Sequence, residues 1–413
     1  MTVTRTARPP AMGFILVTLL LDILGAGLVT PVLPKLLTQL AGSAQVGAQS
    51  LGLFLGVYAL AQFLCAPLLG ALSDRHGRRP VLLVSLLGMG LDYLLLYFAP
   101  TLGWLFLGRV LAGVTGANIT AANAYIADVS PPEQRARNFG LVGAAFGLGF
   151  IIGPALGGLL GGIDVRLPFA AAAGLAFLNF LYGLFVLPES LPREKRHLAP
   201  LHTVNPLSSL AGLGRYPLVR GLTFSFVLIS LAQQFFFSTW VLFTQYALRW
   251  TPAQTGTGLA AAGIATAIVQ VGLVGSAVKV LGEKRAIVVG LSISVAAYVA
   301  FGLVRTDGQM YLVIILGSLD RIAGPALQAV ISKAVSEREQ GSVQGALASL
   351  ASLTGIVGPP LATGLFALFT GSHAPIILPG IAFFVGAGLI LIAVLTSERV
   401  LRADPTAGQA GMN

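Results

Sequence analysis

Residues 70–79 read Gly-Ala-Leu-Ser-Asp74-Arg75-His-Gly77-Arg78-Arg79, and 205 residues later the chain reads Gly275-Ser-Ala-Val-Lys279-Val-Leu-Gly282-Glu283-Lys284. Both glycines and the last basic residue match. Gly140 to Gly153-Pro154 stands at the same distance from Gly345 to Gly358-Pro359, and Glu133-Gln134 returns as Glu339-Gln340 one residue out of register. One glycine match is noise, but three registers agreeing to within a residue mark an internal repeat. The chain is therefore built of two homologous halves in parallel orientation. The second copy of the loop lacks the acid of the first, with Lys279 in the place of Asp74, so a strong ionic latch is expected in the first half only.

Each half is almost wholly apolar. The 413 residues are 55% hydrophobic and 10% charged, against roughly a quarter charged in a soluble domain, and mean hydropathy is +0.85. A soluble enzyme of this size is excluded. A membrane span needs about 20 apolar residues, and stretches of that kind fall at 12–34, 51–72, 80–99, 102–127, 138–160, 168–187, 217–246, 255–278, 285–304, 310–334, 342–370 and 375–396. This predicts an all-α polytopic membrane protein: six helices (1–190), a basic cytoplasmic linker (191–216), six helices (217–398) and a cytoplasmic tail (399–413).

The excess of 25 Lys+Arg over 15 Asp+Glu follows the loops and does not point to nucleic acid. With the N-terminus inside, nineteen of those basic residues face the cytoplasm, four face outward and two lie within spans, which sets both termini in the cytoplasm. The single cysteine, Cys65, rules out an internal disulfide or a thiolate metal cluster. Met12 to Leu33 is too long, and too interrupted by Asp22 and Pro31, for a cleaved signal peptide; it reads as the first span.

Charges at span depth are costly and usually functional, and here they are Asp22, Asp92, Arg109, Asp320 and Arg321. At about 1.5 Å per residue, Asp22 lies roughly 15 Å and Asp92 roughly 18 Å from the inner boundary, and Asp320 roughly 15 Å from the outer one. An acid that alternately meets Arg109 and an open cavity can take up and release a proton. A fixed ion pair is the other use of each acid: Asp22 or Asp92 with Arg109, Asp320 with Arg321. The last two are sequence neighbours, which diverge by about 100° on a helix and need not pair.

In the loop, Gly70 and Gly77 serve a tight turn, while Asp74, Arg75, Arg78 and Arg79 form a cytoplasmic latch. Asp128, at the inner end of span four, is expected to pair with Arg75 or Arg79. Span five carries Gly149, Gly153, Pro154, Gly157 and Gly158, small residues that let helices approach closely beside a proline that permits a bend. Gln62, Asn118, Asn123, Gln233, Gln234, Gln270 and Gln328 are candidate substrate contacts, with interhelical hydrogen bonding as the alternative. Phe236 and Trp240, with Phe235 and Phe237, offer an aromatic wall or ordinary packing.

The loop at 70–79 resembles the signature of the major facilitator superfamily, and span five resembles the antiporter signature of its drug-efflux branches. Asp22-Ile-Leu-Gly25-Ala-Gly27 to Pro31 and Pro34, Asp92-Tyr93, Leu107-Gly108-Arg109, Pro325 to Gln328 and Gln340 to Gly345 resemble the bacterial tetracycline/proton antiporters over almost the whole chain. The resemblance implies twelve transmembrane helices in two six-helix bundles. It also implies export of an amphipathic drug, tetracycline-like, in exchange for a proton. Such carriers have no soluble cofactor; the drug travels as a complex with a divalent cation. A bacterial inner membrane and function as a monomer are expected with it. The sequence departs from those antiporters where they carry a histidine on span eight and an aspartate on span nine: here stand Thr266 and Ser294, while Asp320 replaces a small residue. Either the coupling acid has moved to span ten or the substrate differs. An exporter of other drugs or metabolites, or an uncoupled facilitator, is the competing reading. The four histidines are scattered over loops, which leaves no metal or catalytic centre for an enzyme.

Overall fold

The computed structural model describes residues 12–116, 118–192, 194, 196, 217–335 and 337–403. The expected linker and the tail from 404 onward fall almost entirely outside the described residues. Among the described residues twelve helical stretches are long and apolar enough to cross a membrane, one for each span read from the sequence. In the first half they are built from α1 (Met12–Val29), α3 (Ala44–His76), α4 (Arg78–Phe98), α5 (Leu102–Thr115) with α6 (Asn118–Val129), α7 (Pro132–Ile163) and α8 (Leu167–Phe185). A short α2 (Leu33–Ala41) follows the first span. The second half has α9 (Pro217–Ala247), α10 (Pro252–Gly272), α11 (Val274–Leu303), α12 (Asp307–Gly317) with α13 (Ala323–Lys333), α14 (Glu337–Thr370) and α15 (Ile381–Ala403). Spans four and ten are thus both broken, at Gly116 and at a 3-10 turn over Ser318–Ile322.

The helices pack into two compact units. One lies within Met1–Leu36, Val57–Asn205 and Pro252–Ala260, the other within Leu37–Gly56, Pro206–Thr251 and Ala261–Asn413. Two short segments therefore depart from a strict division at the linker. Glycines permit close approach in both. In the second unit a Cβ at Gly52 would run into Pro359 and Pro360 of α14; in the first, a Cβ at Gly158 would come within 3.1 Å of the Gly256 Cα.

Ile15, Leu19, Leu82, Ala122 and Tyr125 form a core in the first unit, and Leu222, Ile287, Leu327, Ile331 and Leu347 one in the second. Helix–helix attachment in lipid rests on close packing and interhelical hydrogen bonds rather than on expulsion of water. The buried Asn179 of α8 accordingly donates to the Thr18 carbonyl of α1 at 2.8 Å. Large apolar side chains such as Leu64, Leu159 and Ile268 stand more than half exposed on the surface, a liability in water and the normal state against acyl chains.

Candidate functional site

The charged residues of the first unit come together. Asp92 is fully buried on α4 and pairs with Arg109 of α5. Gly108 makes the room: a Cβ there would lie 2.6 Å from the Asp92 Oδ1. Arg109 also stands over the Tyr58 ring of α3, its Cζ 5.6 Å from the centroid, within cation–π range. The charge of Asp22, on α1, bears on the hydroxyls of both Tyr58 and Tyr93, and Tyr93 packs against Gly25, three residues from Asp22. The Asp92–Arg109 pair thus stands beside Tyr58, and the charge of Asp22 acts on the same tyrosine. The sequence reading missed Tyr58, which a search for charge alone passes over; its signal was a hydroxyl one helical turn before Gln62 in an apolar span.

In the second unit Ser294 of α11 donates to the Asp320 Oδ2 at 3.0 Å. The acid carried by span ten thus reaches the position on span nine where the antiporters it resembles have an aspartate. Asp320 and Arg321 do pair, Nε to Oδ1 at 3.1 Å, contrary to the divergence expected of helical neighbours. Both lie in the 3-10 turn that interrupts span ten, so the regular-helix geometry does not apply. Tyr298, 205 residues after Tyr93, donates to the Ala232 carbonyl of α9 at 3.1 Å.

The candidate substrate contacts divide. Gln62 is committed: its Nε2 donates to the Tyr58 hydroxyl at 3.2 Å and to the Gly116 carbonyl at 3.0 Å. Asn123, Gln233, Gln270 and Gln328 are exposed and Gln234 is half-buried, with its Cβ where a side chain at Gly358 would go. Asn118 begins α6, and its side chain lies outside the described residues. Of the two uses open to the aromatic cluster, packing is the one seen. Phe236 packs on Tyr298, Phe301 and Phe383 with ring centroids 5.1–5.7 Å away. Trp240 is 2% exposed and stacks edge-on against Trp250 at 5.8 Å. Both belong to the interior of the second unit, where large rings fill space.

The latch is present with other partners than expected. Arg78 pairs with Asp74 and, through Nε at 3.1 Å, with Asp128, so Asp128 meets neither Arg75 nor Arg79. Arg78 is the first residue of α4 and reaches the end of α6. Arg79 instead donates to the Gly183 and Leu184 carbonyls at the end of α8, and Arg75 is exposed. Glu189 accepts from the Arg78 and Arg79 amides at 2.8 and 3.2 Å, capping α4 as a carboxylate should. The turn itself needs only Gly77, at φ 105°, where a Cβ would also overlap the Glu189 carboxylate. Gly70 is a helical residue of α3 with open space around it.

A strong latch was expected in the first half only, and the second half has one with the charges exchanged. Gly282 repeats the backbone of Gly77, at φ 74°, ψ 156° against 105° and 161°. Glu283 pairs with Lys333 at 2.6 Å, 205 residues after Arg78 and Asp128 respectively. Lys284 donates to the Leu401 carbonyl of the last span at 3.4 Å, as Arg79 does to the last span of its own half.

On α7 the glycines of the span-five segment are crowded. A Cβ would meet Ile23 at Gly149, the Gly27 Cα at Gly153 and the Leu28 backbone at Gly157, whereas Gly140, Gly143 and Gly147 have nothing within 4 Å. With Pro154 inside the helix, this is the packing element the small-residue spacing implied.

Twelve apolar spans, a duplicated six-helix plan and buried midspan charges define a multi-pass membrane carrier. Residues 15–245 and 222–411 match the family model of the Major Facilitator Superfamily, and the chain belongs to that superfamily. It is 43% identical to the tetracycline resistance protein, class C, of Escherichia coli, over 94% of this chain and 96% of that one. It is also 30% identical to multidrug resistance protein 2 of Bacillus subtilis, over 89% and 91%. The crystal structure of the nucleoside transporter NupG shares its fold, with a TM-score of 0.76 at 13% identity over 95% of this chain and 99% of that one.

Proposed function

We propose that this drug exporter is an antiporter that moves a tetracycline-like drug outward as a divalent-cation complex in exchange for an inward proton. The observation that carries the reading is the buried Asp92–Arg109 pair standing beside Tyr58, on which the Asp22 charge also acts. A cation already paired with Asp92 and a second acid, Asp22, acting on the same tyrosine allow a proton or a cationic group of the drug to satisfy one acid, and binding of either displaces the other. Asp320, held by Ser294 and Arg321, supplies an acid in the second half. Access to the site alternates between the two faces of the membrane. The loop charges favour both termini on the cytoplasmic side; a bacterial inner membrane and a functional monomer are part of the same proposal by family likeness.

The test is reconstitution in liposomes that hold a pH-sensitive dye, under an inward proton gradient, with tetracycline and ethidium as substrates. Uphill tetracycline movement with proton flow, abolished in Asp22→Asn, supports the antiporter. Drug movement indifferent to both gradient and substitution sinks it. A second reading, export of other drugs, is favoured by Thr266 and Ser294 standing where the antiporters it resembles have a histidine and an aspartate; ethidium moved faster than tetracycline would select it.

A further inference from the structure

We propose that Tyr58 and Gln62 form one positioning element that ties the Arg109 charge cluster to the break in span four. The inference rests on the antiport reading. Gln62 is committed by hydrogen-bond stoichiometry. An amide nitrogen carries two hydrogens and cannot accept, and the two acceptors within reach of the Gln62 Nε2 are the Tyr58 hydroxyl at 3.2 Å and the Gly116 carbonyl at 3.0 Å. Tyr58 therefore receives a hydrogen bond from Gln62, which leaves its own hydrogen for another acceptor. Its ring lies under Arg109.

The other end of the element is the break. α5 stops at Thr115, Gly116 has left helical geometry at φ -74°, ψ 44°, and α6 starts at Asn118. A break at membrane depth is tolerated where the released backbone groups find partners within the protein, and Gln62 is one for the Gly116 carbonyl. The contact is held tightly: a Cβ on Gly113 would lie 2.6 Å from the Ala61 Cβ and 2.7 Å from the Tyr58 carbonyl. Spans two and four thus touch at the turn that carries both side chains. Any change in the bend at Gly116 pulls on the Gln62 amide, moves the Tyr58 hydroxyl and alters the surface on which Arg109 rests. Conversely, a change in the pairing of Arg109 with Asp92 is felt at the bend.

The experiment measures proton-to-drug ratio, kcat and KM for tetracycline in proteoliposomes of the native chain, Tyr58→Phe, Gln62→Ala and the double variant. Tyr58→Phe keeps the ring under Arg109 and removes only the oxygen that Gln62 serves. Each single substitution is expected to lower the ratio and kcat by about fivefold or more, the lower range of coupling between sites, while KM moves less than about twofold. The double variant should be no worse than the more damaging single, since members of one unit are not additive. Losses that multiply overturn the proposal. So does a raised KM with the ratio intact, which would make Gln62 a drug contact. Should Gln62→Ala fail to assemble, Tyr58→Phe alone decides by the same split. A native chain that moves drug without protons refutes antiport and this proposal together; a coupled native chain with indifferent variants refutes this proposal only.

Discussion

Reversing the charge at position 78 tests whether the exchanged latch of the second half is equivalent to the first. Arg78→Glu removes the bonds to Asp74 and Asp128 and leaves three carboxylates together. Charge-assisted hydrogen bonds contribute about 1.5–3 kcal/mol each. The Asp74 side chain is 47% exposed and that of Asp128 22%, so solvent screening reduces the sum to about 2–3 kcal/mol. That bias corresponds to a roughly 30- to 150-fold shift between conformations, and export in everted vesicles should fall accordingly at unchanged expression. The triple exchange Asp74→Lys, Arg78→Glu, Asp128→Lys recreates the pattern of Lys279, Glu283 and Lys333. It should recover at least about a third of the lost export, since ion pairs in one network are strongly non-additive. A triple variant no better than the single would refute the reasoning.

The two turn glycines should respond unequally. Gly77→Ala incurs both the left-handed backbone cost of about 1–2 kcal/mol and a clash with Glu189, whereas Gly282→Ala, with open space around it, incurs only the first; thermal unfolding in detergent will show a larger drop for Gly77→Ala. On α7, Gly153→Ala should abolish folding or export and Gly147→Ala should be tolerated, which monodispersity on size exclusion checks. Asp92→Asn leaves Arg109 beside a neutral partner in a buried site, an imbalance of about 3–5 kcal/mol, and should lower the melting temperature more than Asp320→Asn does. If Asp320 carries a proton, exchanging the groups as Ser294→Asp with Asp320→Ser should retain pH-dependent export, while Asp320→Ser alone should lose it.

The spans and the duplication were legible because lipid imposes a long apolar signature and the repeat a fixed spacing. Asp92 with Arg109 was legible for a related reason, since few charges stand at midspan. What failed was direction and sign. Arg78 could not be told from Arg75 or Arg79 by spacing, because the turn at Gly77 resets which way each side chain points. The second latch was missed because matching residue by residue looks for the same charge, whereas an ion pair is unchanged when its partners trade places. Phe236 and Trp240 stayed open between two uses because an aromatic cluster has the same composition whether it lines a cavity or fills a core. Asp320 and Arg321 departed from expectation because the 3-10 turn that unites them leaves no mark in hydropathy.

The traded charges also bear on how the chain enters the membrane. Insertion machinery responds to where lysines and arginines are left behind, with little weight on acids. In each half one partner of the latch is basic, and the partners touch, so they end on the same face of the bilayer whichever of them carries the cation. Swapping Arg78 and Asp128 for an acid and a base moves a positive charge along the chain past two spans without moving it across the membrane. The topological signal of each half is therefore indifferent to the polarity of its latch, and such an exchange can accumulate during divergence without inverting the protein.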